Sequence, residues 1–71
     1  MQQSETYNQE LRAIFATRAR ESFASARRCL AAARMARRGG DPLRARKWLW
    51  CVKVLRVAAA GWRDRAQGIA P

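Results

Sequence analysis

Histidine is absent from this 71-residue chain, and acidic residues are scarce: five Asp and Glu stand against fifteen Lys and Arg. The five carboxylates lie at positions 5, 10, 21, 41 and 64 and do not pair on one helical face. With no imidazole and no glycine-rich phosphate loop, the chain has neither a tuned general acid or base nor a partner to activate a nucleophile. An enzyme is not expected. Two cysteines without histidine cannot make a structural zinc site within one chain, so neither metal nor cofactor is expected. The longest strictly apolar run, Trp48 to Val52, is far too short to span a membrane. A polar N-terminus without an apolar core segment does not read as a secretory signal, and the expectation is a cytoplasmic chain with its cysteines reduced. Cys29 and Cys51 then read as small apolar fillers.

What is abundant is arginine, alanine and charge of one sign. Arg outnumbers Lys thirteen to two and the net charge is +10. All fifteen basic residues lie at 12–71, which with three acidic residues makes that part +12. Such a balance attracts anionic partners: nucleic acid, an acidic protein face or a lipid headgroup. GC-rich coding also yields an Ala- and Arg-heavy composition, so charge alone does not choose among them.

Two series at a spacing of seven carry the fold. Ala19-Arg20, Ala26-Arg27 and Ala33-Arg34 form one; Trp48, Leu55 and Trp62 form the other. Between them Gly39-Gly40-Asp41-Pro42 is a helix stop followed by a helix start. The pattern predicts an all-α chain, a two-helix antiparallel hairpin with helix 1 over about 6–38, a turn at 39–41 and helix 2 over about 42–67. Thr6 or Ser4 reads as the first N-cap, Thr6 and Gln9 having capping-box spacing. Leu11, Phe15, Ala19, Ser22, Ala26, Cys29, Ala33 and Ala36 alternate by three and four and make the inner stripe of helix 1. Folding at the turn sets position i against 81 − i, so Ala33, Ala26 and Ala19 are expected to face Trp48, Leu55 and Trp62, small against large.

Helix 2 has more apolar surface than one neighbour can cover. Beside the face bearing Trp48, Cys51, Val52, Leu55, Ala59, Trp62 and Ala66 lies a second strip of Leu43, Trp50, Val54 and Val57. Gly61 costs this helix about 1 kcal/mol relative to alanine. A 71-residue chain needs a larger core than one hairpin supplies. The expectation is therefore a homodimer with Trp50, Val54 and Val57 in its seam, closing a four-helix bundle; docking of a different protein on that strip is the alternative.

Arg20, Arg27, Arg34 and Arg38 fall in one narrow sector of helix 1, with Arg12 near its edge. Seven-residue spacing sets successive guanidinium groups about 10 Å apart. This row, with Trp50 as an apolar anchor, is the candidate partner-binding set. It suits a protein with an acidic surface, and as an alternative the phosphates of DNA or RNA. A membrane-surface helix is a weaker third reading, because the hairpin already gives the apolar face of helix 2 a partner.

The Gly-Gly-Asp-Pro turn followed by RARKWLW is similar to the hairpin turn of tetratricopeptide units, although these helices are about twice the usual length and no second repeat follows. In size, Ala/Arg composition and hairpin design the chain resembles the small helical accessory proteins of temperate phages of GC-rich bacteria, the anti-quorum-sensing and anti-CRISPR inhibitors among them. The resemblance implies a non-enzymatic inhibitor that binds a host regulatory or defence protein inside the bacterial cell.

Overall fold

The computed structural model describes residues 2–69, with side chains described from residue 5. Two helices, α1 (Gln2–Arg38) and α2 (Pro42–Gln67), fold back on each other as a hairpin. No strand occurs among the described residues. The molecule is a rod of 59 × 13 × 10 Å with a radius of gyration of 16.6 Å, against about 11 Å for a compact domain of this length.

Local chemistry fixes the turn. Gly40 has a φ of 77°, in the left-handed region that a side chain disfavours. Around it the Asp41 N–H donates to the Ala36 carbonyl at 2.9 Å and the Gly40 N–H to that of Arg37 at 3.1 Å. These are the two bonds of a Schellman motif, which satisfy carbonyls that the end of α1 would otherwise leave open. Asp41 then starts α2 at once: its carboxylate accepts from the Arg44 N–H at 3.0 Å, and Pro42 occupies the first turn, where no N–H is needed. At the far end the Gly68 N–H donates to the Asp64 carbonyl at 3.0 Å. The start of α1 differs from expectation. The helix is already formed at Gln2, so Ser4 and Thr6 lie within it and neither is its N-cap.

The core is a double column of small residues. Ala19, Ala26 and Ala33 on α1 and Ala45, Val52, Ala59 and Ala66 on α2 are buried, and both columns step by seven. Ala33 and Ala45 line one cleft near the turn. Phe15 packs on Trp62 with ring centroids 5.4 Å apart. At the open end an Arg12 guanidinium N–H donates to the Ile69 carbonyl at 2.6 Å.

This arrangement corrects the small-against-large pairing. Ala33, Ala26 and Ala19 do not face a central column of Trp48, Leu55 and Trp62. That column is turned aside by roughly 50° at 100° per residue. Leu55 and Trp62 are half-buried at the rim, Cys51 is exposed, and Trp48 remains 36% accessible. The reason is distance. Side chains at the contact set how closely two helices approach. Alanines, with Val52 among them, permit a close approach of the two backbones, while the large rings stand at the edge of the seam. Ala59 is 0% accessible, yet no large side chain is fully buried.

Candidate binding surfaces

Because α1 spends its inner stripe on alanine, the residue after each alanine of the column is turned by 100°, onto the flank. Arg20, Arg27 and Arg34 each follow such an alanine, and Arg38 falls in the same sector. All four are exposed, roughly at a right angle to the direction of α2. Arg20 donates to the Thr17 hydroxyl at 3.1 Å. Among the described residues no carboxylate pairs with any of the four; the ion pair that does form, Arg63 with Asp64 at 3.5 Å, lies on α2 and is exposed. An unneutralised row about 10 Å in repeat is therefore available to an anionic surface.

Arg12 is not part of that row. It is half-buried, tied to the Ile69 carbonyl, and its Nε is buried without a hydrogen-bond partner. Its position at the sector's edge turns it inward, where it holds Ile69 onto α1.

The second surface is on α2. Trp50 is 65% and Val57 68% accessible, and Leu43 and Val54 are exposed with them. Trp50 is two residues from buried Val52, hence about 200° away around the helix. The strip thus lies on the side of α2 opposite α1. Its borders are basic: Arg46, Lys47, Lys53 and Arg65 are exposed beside it. Trp50 and the arginine row consequently do not converge on one site; the hairpin carries an electrostatic flank on α1 and an apolar back on α2.

Two features escape the pattern of the sequence. Trp62 has Arg18 and Arg65 over its ring, at 5.2 and 4.9 Å from the centroid, besides its contact with Phe15. Such cation–π pairs depend on how α2 is turned, which spacing alone does not determine. Gly61 is exposed in the C-terminal half of α2, and a Cβ built there meets nothing within 4 Å. Nothing within the hairpin requires a glycine at that position.

Cys29 and Cys51 are free thiols, the first half-buried, the second exposed; Cys51 therefore does not fill the core. No group of residues suited to hold a metal occurs among the described residues. No described helix is long and apolar enough to cross a membrane. Among family models, curated proteins and solved structures, none matches this chain.

Proposed function

We propose that this chain is a small, non-enzymatic binding protein that attaches to an acidic surface of a host regulatory or defence protein in the bacterial cytoplasm and inhibits or redirects it, in the manner of phage-type inhibitors. It acts as a homodimer joined through α2. One observation carries the reading: the buried residues are alanines with the single valine Val52, while Leu43, Trp50, Val54 and Val57 stand exposed on the back of α2 and an arginine row stands exposed on the flank of α1. Exposed apolar strips with basic borders are the composition of protein-binding faces. Long-range attraction by Arg20, Arg27, Arg34 and Arg38 speeds encounter and selects partners of opposite sign.

The test is capture from a nuclease-treated bacterial lysate with the tagged full-length protein. One stoichiometric protein is retained, and the double variant Arg27→Glu/Arg34→Glu loses it without losing helicity. Both arginines are exposed, and among the described residues no carboxylate pairs with either, so the reversal removes no ion pair. Capture unchanged by the double reversal overturns the electrostatic role.

The arginine repeat also supports a second reading, phosphate-led binding of DNA or RNA. In that case the retained proteins vanish with nuclease. Oligonucleotide affinity then falls with salt at about one unit of log–log slope per phosphate contacted.

A further inference from the structure

No contact within the hairpin requires Gly61, and Asp64 meets only its exposed neighbour Arg63; both gain a partner if a second copy of α2 lies antiparallel on the first. Trp50, Val54, Val57 and Gly61 recur at intervals of four and three along the side of α2 turned away from α1, with Lys47 before them and Asp64 after. That is a heptad seam, the repeat by which helices pair. We propose that the chain forms an antiparallel homodimer through this seam, in the register that sets position i of one α2 against 111 − i of the other. This inference deepens the dimer of the proposed function by giving its orientation and its contacts.

In that register Trp50 meets the partner's Gly61, Val54 meets the partner's Val57, and Lys47 meets the partner's Asp64. Each contact then occurs twice by symmetry, as an isologous interface requires. The indole fills the space that the missing side chain leaves. Asp64, an isolated carboxylate on a strongly basic helix, gains a cation beyond its exposed neighbour Arg63. Sliding one copy by a heptad sets Val57 against the partner's Lys47 in one direction and Val54 against the partner's Asp64 in the other. A parallel pairing brings lysine to lysine and aspartate to aspartate and leaves glycine opposite glycine.

Surface area points the same way. The chain exposes 5731 Å², whereas a compact monomer of 8.1 kDa exposes about 4,500 Å². The excess of roughly 1,200 Å² follows from the 59 × 13 × 10 Å rod shape, and it is larger than the about 800 Å² that each partner contributes to a standard interface. The strip also lies diametrically opposite the α1 contact, so pairing there lays four helices side by side as α1-α2-α2-α1. The four-helix bundle closed around one shared core gives way to a single layer.

The experiment is sedimentation equilibrium on the purified full chain and on variants, without any binding partner, alongside circular dichroism. The unmodified protein runs at twice 8.1 kDa. Gly61→Leu removes a helix-weakening residue and so keeps or raises helicity, but it blocks the indole and runs as a monomer. Lys47→Asp and Asp64→Lys each shift the equilibrium to monomer by at least tenfold in dissociation constant, and mixing the two restores a dimer of one chain of each. An unmodified protein that stays monomeric up to millimolar concentration overturns the proposal and leaves the strip to an unlike protein or a lipid surface. Dimers that survive Gly61→Leu, or charge variants that mixing fails to rescue, overturn the register. Failure of lysate capture has no bearing on these readouts.

Discussion

Gly40 and Gly39 sit side by side in the turn and do different things. Gly40 alone occupies the left-handed region, with a φ of 77°. Alanine there pays about 1 kcal/mol in backbone strain, and Gly40→Ala should lower the urea midpoint accordingly. At Gly39 the backbone φ is negative, and an added Cβ meets only the Met35 and Ala36 carbonyl oxygens at 3.4 and 3.7 Å. Gly39→Ala should therefore hold or raise the midpoint, because it mainly narrows the unfolded ensemble. The same denaturation series separates the two. At the other end of the hairpin Arg12 does by side chain what the turn does by backbone: its bond to Ile69 fastens the C-terminal end of α2 to α1.

At the scale of the helices, the features legible in advance were those written in local chemistry. Asp41-Pro42 starts a helix and Gly39-Gly40 stops one whatever surrounds them, and the stretch from Pro42 to Gln67 is the helix they bracket. The alanine column of α1 was equally plain, because small residues at a strict interval of seven leave one choice of inner face. Rotation of α2 was not. Apolar residues cover more than half of its circumference, so periodicity is satisfied by several faces, and choosing the largest side chains selects Trp48, Leu55 and Trp62. The hairpin instead minimises the distance between backbones, a property of the pair that neither helix displays alone. The start of α1 escaped for a related reason, since a capping residue permits a helix end without enforcing one. The arginine row was readable because it rides on the alanine column; its separation from Trp50 was not, because that depends on the rotation of α2. Ala59→Leu tests the observed seam. Forcing an isobutyl group into a site with 0% accessibility should cost about 1–3 kcal/mol through overpacking. Trp48→Ala, at the rim, should cost less in the same urea titration. A seam centred on Trp48 would reverse that order.

For the molecule as a whole, thin internal packing would make the stability of the proposed dimer depend on association. A state that only folded chains can form raises the melting temperature as protein concentration rises. A hundredfold dilution should therefore lower the calorimetric melting temperature measurably, whereas a self-sufficient monomer would show none of this dependence. Salt should act in opposite senses on the two surfaces. Screening would weaken the hold of the arginine row on the proposed acidic partner, and would relieve the repulsion between the two chains of the proposed dimer, +10 each. Sedimentation and capture across the same salt series would show one association tightening as the other loosens. The arginine row stands at a right angle to the direction of α2, and this orientation has a consequence for selectivity. In an antiparallel layer the two-fold axis is perpendicular to the sheet of helices, so both rows emerge on one face. They run in opposite directions, separated by three interhelical spacings, or about 24–30 Å. Weak contacts placed so gain avidity through effective concentration only where the target offers two acidic tracts at a matching interval. The proposed dimer would therefore choose its target by the spacing of negative charge and pass over equally acidic surfaces that offer only one tract.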